Sequence, residues 1–350
     1  MSAEPSELRD SARKVLAGQG VPAGEAATWP LVVELGWLLV AVPEELGGLG
    51  EGLAAACALY RELGASLAAA PYLPAMLAVE AVCHAAPGER HYWVELLTTG
   101  GFAGAPLAEA VLSATPHGAG KTKLTGLASA VPSADKAGHI VVWTSDDDCV
   151  ALVPLDRSGV AVERRPTWDA TRRLFDVRLG DVELDDSFVL ARGAAAQALR
   201  RRLSTHRDFA LAADSVGGAA ALLDRTVEYL LTRRQFGRPL AMFQALKHRC
   251  ADLKVLTEAA EALLLDGLAR LGEAGGAVAA ERLGQQAKSF ATMAYSKVAE
   301  EALQLHGGIG MTSEHSCHLF LKRALLNVQL GRSNDRCDLD VAAGTLGEDI

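Results

Sequence analysis

Residues 233–244, RRQFGRPLAMFQ, put arginine, an aromatic ring and amides at short spacing where an amphipathic Ala/Leu-rich run ends. Two readings compete. Arginine in a last helical turn complements the helix dipole, and Gly237 and Pro239 stop a helix, so the segment can be helix punctuation. The same residues can also hold a phosphate-bearing ligand. Arginine offers a fork of donors to a pyrophosphate, phenylalanine a face to an adenine ring, and glutamine further hydrogen bonds.

A second segment sharpens the choice. Residues 303–315, LQLHGGIGMTSEH, follow a helical run from Tyr295 to Leu305. Gly307, Gly308 and Gly310 would end that helix and let another backbone or a ligand approach closely. Gln304 sits on the last turn. Two helix ends carrying arginine, aromatic, amide and glycine favour a ligand over punctuation. Other nucleotide-binding signatures are missing: no GxGxxG follows a strand, no GxxxxGK[ST] is present, and no GxSxG elbow appears.

These residues need elements to position them, and three zones separate by periodicity. Residues 1–100 read as helices, with Leu31, Val32, Leu35, Leu38 and Leu39 at helical spacing and a second run from Leu53 to Leu67. Residues 101–192 change texture. Ile140–Trp143, Val150–Val153 and Gly159–Val162 are short β-type runs, and Phe175, Val177 and Leu179 alternate with polar residues. A small antiparallel β domain is expected there. From 193 to 350 the helical period returns, with Leu253, Leu256, Ala260, Leu264, Leu268 and Leu271 on one stripe ending at Gly272. Long helices with short connections predict an antiparallel bundle.

Composition narrows the function. The chain has 350 residues, 34 Lys and Arg against 43 Asp and Glu, and a net charge of −9. A uniformly basic nucleic-acid surface is not expected. The six cysteines lie singly, with no CxxC and no zinc-ligand spacing, as suits reduced thiols in a cytoplasm. The N-terminus shows no secretory signal, and apolar stretches fall short of the ~18–20 residues of a membrane span.

The chain resembles the acyl-CoA dehydrogenases, FAD-dependent proteins built of an N-terminal helical domain, a middle β domain and a C-terminal four-helix bundle. The resemblance is carried by ELGWLLVAVPEELGGLG (34–50), ALYRELGASLAAAP (58–71) and WDATRRLFDVRLGDVEL (168–184), with TVEYLLTRRQFGRPLAMFQALKHRCADL (226–253) and AEEALQLHGGIGMTSEH (299–315) the most specific. It implies that Arg233, Gln235, Phe236, Gln244, Gln304, Gly307 and Gly308 hold the adenosine-pyrophosphate half of an FAD across a subunit interface. It also implies an acyl-CoA substrate and an electron-transfer flavoprotein or similar acceptor.

Two departures from the family pattern carry as much information. Neither a TEPxAGSD-type segment nor a WITN-type strand occurs; GFAGAPLAEAVLSATPHGAG and GLASAVPSADKAG stand in that region. The catalytic base is also missing. LKRALLNVQLGRSNDR places Gly331 where the family's common Glu stands, and Arg207 occupies the alternative position on the first bundle helix. Asp208 is one residue off, about 100° around a helix, and is expected to be a surface or ion-pairing carboxylate. Removing an α-proton needs a general base within hydrogen-bond reach, so no catalytic residue is assigned. A chain that keeps the adenine-side grip but lacks the base resembles one subunit of an actinobacterial heteromeric α2β2 acyl-CoA dehydrogenase, such as those acting on steroid side-chain CoA esters. A homo-oligomer with a displaced base and a flavin-free scaffold subunit are the alternatives.

Overall fold

The computed structural model describes residues 5–346 apart from positions 86, 87, 89, 109, 119 and 147. The outermost residues of the first and last zones, 1–4 and 347–350, lie outside the described residues.

Five helices come first: α1 (Pro5–Ala17), α2 (Glu25–Glu34), α3 (Gly52–Ala65), α4 (Tyr72–Cys83) and α5 (Arg90–Thr98). The Leu31–Leu39 spacing does not mark one helix. Gly36 turns left-handed at φ 66°, α2 stops before it, and Leu38 falls in a separate single turn. Helix α4 is buried along its whole length. An all-round apolar helix belongs in a core, and α4 lies against α5, the β domain and the bundle.

Eight strands follow: β1 (Ala103–Gly104), β2 (Val111–Pro116), β3 (Lys121–Pro132), β4 (His139–Trp143), β5 (Cys149–Pro154), β6 (Val160–Arg165), β7 (Leu174–Asp185) and β8 (Val189–Arg192). They form two four-stranded sheets, β1-β4-β5-β8 and β2-β3-β7-β6. Their inner faces share one core that includes Leu124, Ile140, Val142, Val153 and Val177. All pairings are antiparallel except the two-residue pairing of β1 with β4, which is parallel. Phe175, Val177 and Leu179 point inward as their alternation predicts, and an irregularity opposite Leu124–Gly126 then shifts the phase, so that Val182 and Leu184 are buried. The outer face of the first sheet, through Val141, Trp143 and Leu152, packs into the helical core.

The last zone is a bundle of α6 (Gly193–Thr232), α7 (Gln244–Leu271), α8 (Ala277–His306) and α9 (Cys317–Gln329), with α10 (Asn334–Leu346) against α8. A short hairpin, β9 (Arg234–Gln235) and β10 (Arg238–Pro239), joins α6 to α7. On α7, Leu253, Ala260 and Leu264 are buried and Leu256, Leu268 and Leu271 half-buried, so the stripe is the packed face. The middle of α6 is buried on every side from Leu203 to Ala219. Small residues permit this: a Cβ on Gly217 would sit 1.9 Å from the Arg61 carbonyl, and one on Gly64 2.2 Å from the Asp214 carbonyl. Helices α3 and α6 therefore cross with their backbones in contact. No described helix is long and apolar enough to cross a membrane.

One polar cluster crosses every boundary. Arg323 on α9 is 1% exposed. It donates to Asp169 (3.1 Å) and Thr171 (2.6 Å) of the β domain, to Asp214 of α6 (3.0 Å) and to the Ala68 carbonyl (3.1 Å). Asn327 donates to Asp214 (2.7 Å) and Ser215 (3.0 Å), and accepts from Arg172 (2.7 Å). Burial alone would raise the Asp214 carboxyl, but Arg172 and Arg323 outweigh it and hold it below its ordinary value. A carboxylate held low contributes stability that is present above its unfolded value and lost as pH falls through the folded one. Arg323→Ala strands buried Asp169 and leaves Asp214 with Arg172 as its one cationic partner among the described residues, and is expected to cost about 3–5 kcal/mol. Its acid-unfolding midpoint should also move to higher pH. Denaturant titrations across pH check both; a variant within about 1 kcal/mol of wild type would contradict this account.

Candidate functional site

The arginine–phenylalanine segment is a hairpin, not helix punctuation. Phe236 and Gly237 take φ of 50° and 75°. Positive φ at both central residues is the requirement of a tight two-residue hairpin turn. The turn lifts Phe236 to 88% exposure, edge-on to Phe243 at 6.1 Å between ring centroids. Arg238 stacks over Phe243 at 4.1 Å. Arg234 donates to the Gly237 carbonyl at 3.2 Å and so fastens the turn.

Arg233 is the residue where α6 ends. Its N–H closes the last turn on Tyr229, and its carbonyl accepts from Leu240, both at 2.8 Å. Its side chain is exposed, with no ion-pair partner among the described residues. Gln235 and Gln244 are exposed too, the latter as the first residue of α7.

Helix α8 ends as the glycines predict. Gly307 leaves it at φ 65°, ψ −147°, a conformation for glycine. A Cβ on Gly307 or Gly308 would meet nothing within 4 Å, so neither serves close packing inside the chain. Tyr229 brings the two ends together: its hydroxyl donates to the His306 carbonyl at 3.2 Å, and its ring stacks on His306 at 4.5 Å. His306 in turn lies 4.4 Å from His315. Burial and the nearby His315 push the His306 pKa below its ordinary value. Tyr229, His306 and His315 were not among the residues singled out from sequence; the stacking joins positions far apart in the chain. An exposed guanidinium, a raised aromatic face, exposed amides on Gln235, Gln244 and Gln304, and open glycine backbone fit a pyrophosphate–adenosine group.

Gly331, where the sequence resemblance puts the family's base, has a different character. Gly331 has φ 71°, and its N–H donates to the Leu107 carbonyl at 2.5 Å. A Cβ there would lie 2.9 Å from Arg207 Nε and 3.0 Å from Asp208 Oδ1. Gly331, Arg207 and Asp208, three separate positions in the sequence argument, are thus one cluster. Asp208 is not on the surface. It is fully buried, because this part of α6 has no solvent face, and it accepts from Arg207 Nε at 2.9 Å. The long Arg207 side chain spans the 100° step that separates the two on the helix. Lys288, also fully buried, fixes the turn around Gly331 by donating to the carbonyls of Val328 (3.2 Å) and Arg332 (2.6 Å) and to Asn334 (2.9 Å). The residue after Gly331 is Arg332, so a shift of one place supplies no carboxylate either.

Residues 2–100 match the family model for the acyl-CoA dehydrogenase N-terminal domain, and residues 196–333 that for the C-terminal domain. The acyl-CoA dehydrogenase IpdE2 of Mycobacterium tuberculosis is 32% identical over 340 residues, spanning 93% of this chain and 92% of the relative. This chain belongs to the acyl-CoA dehydrogenase family. IpdE2 of Mycolicibacterium smegmatis is 34% identical over 304 residues, 86% of this chain and 82% of the relative. Among solved structures, the steroid ACAD Tcur3481–Tcur3483 matches with a TM-score of 0.86 and 26% identity over 98% of each chain. The ChsE4–ChsE5 complex of Mycobacterium tuberculosis matches in fold, with a TM-score of 0.89 and 24% identity over 100% of this chain and 99% of that one.

The cluster makes a direct prediction. Gly331→Ala adds a left-handed-backbone cost and a clash with Arg207, together about 2–4 kcal/mol of stability. Gly331→Glu should be no better tolerated and should create no base. Chemical denaturation reads the cost; an alanine variant as stable as wild type would show that the crowding is absent.

Proposed function

We propose that this chain is the base-lacking subunit of a heteromeric, FAD-dependent acyl-CoA dehydrogenase. A paralogous chain supplies the general-base carboxylate, in an α2β2 assembly working on an acyl-CoA thioester of the steroid side-chain class. Residues 1–100, 101–192 and 193–350 form its helical, β and bundle domains. The observation that carries the reading is the Gly331 cluster: guanidinium and left-handed glycine stand where α-proton abstraction requires a carboxylate. Two of the similar solved structures are named as pairs of different chains, and one of these is named a steroid ACAD, which supports the assembly and the substrate class.

This chain's own contribution lies at the paired helix ends. Arg233 holds the pyrophosphate with its fork, Phe236 gives the adenine a face, and Gln235, Gln244 and Gln304 with the Gly307–Gly308 backbone bond the adenosine. FAD, when bound, supplies the capacity to accept a hydride. An electron-transfer flavoprotein or a similar protein would serve as the electron acceptor. A homo-oligomer with Asp208 as base has one observation in its favour: the second carboxylate oxygen of Asp208 is buried without a hydrogen-bond partner. Against it, Asp208 has no accessible surface to offer a substrate carbon.

Flavin-to-protein ratio after gel filtration tests the reading, with the chain expressed alone and together with a paralogue that carries the Glu. Flavin should be retained only by the complex. Arg233→Ala removes a charge-assisted phosphate contact of about 1.5–3 kcal/mol, so retention weakens by about one to two factors of ten. Arg233→Lys should fall in between, having charge without the fork. Arg234→Ala, which loses only the turn fastening, should matter much less. A complex that stays colourless supports the scaffold reading; full flavin in both alanine variants removes the hairpin from the site.

A further inference from the structure

A chamber of about 580 Å³ opens between the β domain and the bundle beside Gly331, lined by Trp143, Ser145, Ser204, Arg200, Arg207 and Arg332 among others. Three guanidiniums from two separate segments face it, and among the described residues Glu281 is the one carboxylate in its lining. Glu281 is already engaged by Arg201 at 2.8 Å and Arg200 at 3.9 Å. Arg207 donates to Asp208 through Nε, and Arg332 pairs with Asp340 at 3.0 Å through Nη1, away from its own Nε. The Arg332 Nε is buried and meets no acceptor.

From this geometry we infer that the chamber is a binding site for the oxyanion group of a small molecule, a carboxylate or a phosphate, held by the forks of Arg207 and Arg332. A buried donor without an acceptor is costly to leave unmade, and like charges converging in a recess of reduced dielectric repel. An oxyanion relieves both, and guanidinium forks match carboxylate and phosphate geometry. The volume lies within the range of small-molecule sites, and Trp143 forms an apolar wall for the rest of such a molecule. Serine hydroxyls add little: Ser145 bonds the backbone of Leu112, and Ser204 accepts from Arg200. The place where the family removes a proton thereby becomes, in this chain, a place that holds an anion. The inference stands apart from the proposed subunit role, because binding to the chain alone reads it out without flavin, substrate or partner.

Isothermal titration calorimetry of the full-length chain at low ionic strength tests it, with inorganic phosphate and citrate as separate probes. Saturable binding of one equivalent per chain is expected for at least one probe, and the tighter one identifies the group. Arg332→Gln should weaken it about tenfold or more. Arg207→Lys, which keeps the charge, should fall between wild type and Arg332→Gln. Arg178→Gln, on the far β-strand β7, should bind as wild type. Should Arg207→Lys fail to fold, the half-exposed Arg332→Gln still decides the matter. Absence of saturable binding by either probe, or wild-type affinity in Arg332→Gln, overturns the inference.

Discussion

The guanidinium of Arg323 is the constraint on which the rest of the molecule depends. It is buried where α9, α6, the β domain and the loop after α3 meet, and it satisfies acceptors from each of them. A buried ion cluster of this kind contributes little net stability against an apolar replacement, because desolvation offsets its Coulomb energy. Its effect is geometric. A planar fork has one arrangement that fills all its donors, so the β domain can seat on the bundle in one register. That register places the β domain against α6, where the chamber beside Gly331 lies.

Helix α6 transmits the constraint to both ends of the site. Its middle, buried on all sides from Leu203 to Ala219, carries Arg207 and Asp208 against Gly331. Its last turn carries Tyr229, which stacks on the end of α8, and Arg233, which leads into the hairpin. At about 1.5 Å per residue, a single rigid rod holds the two regions far apart and fixes their spacing. The regions differ in character. The hairpin presents unpaired donors and an aromatic face outward, as suits a group shared with another chain. The Gly331 cluster turns its charges onto one another and into a recess.

The sequence made much of this legible, in proportion to how local each signal is. The α7 stripe and the β7 alternation are periodicities of a half-buried face, and both read correctly. The residues proposed to hold an adenosine-pyrophosphate group were singled out from residue chemistry at two helix ends and from family resemblance. The hairpin itself was not foreseen, because Gly237 and Pro239 end helices and form tight turns alike, and the positive φ of Phe236 has no signature in an aromatic residue. The Leu31–Leu39 spacing failed at Gly36 for a similar reason. Asp208 was expected at a surface or in an ion pair. A helical wheel cannot see that α6 has no surface there, although the ion pair is present. Arg323, Asp169 and Asp214 lie more than a hundred residues apart in their contacts, and no spacing rule links them.

On the reading proposed above, this chain by itself has no group able to remove the α-proton of an acyl thioester. The direct measurement is dehydrogenation by the purified chain alone, supplied with FAD and an artificial electron acceptor, across a panel of acyl-CoA esters that includes steroid side-chain esters. The account predicts turnover no greater than buffer controls, with Asp208→Asn indistinguishable from wild type. Robust turnover by the chain alone, lost in a folded Asp208→Asn variant, would contradict it and make Asp208 the base.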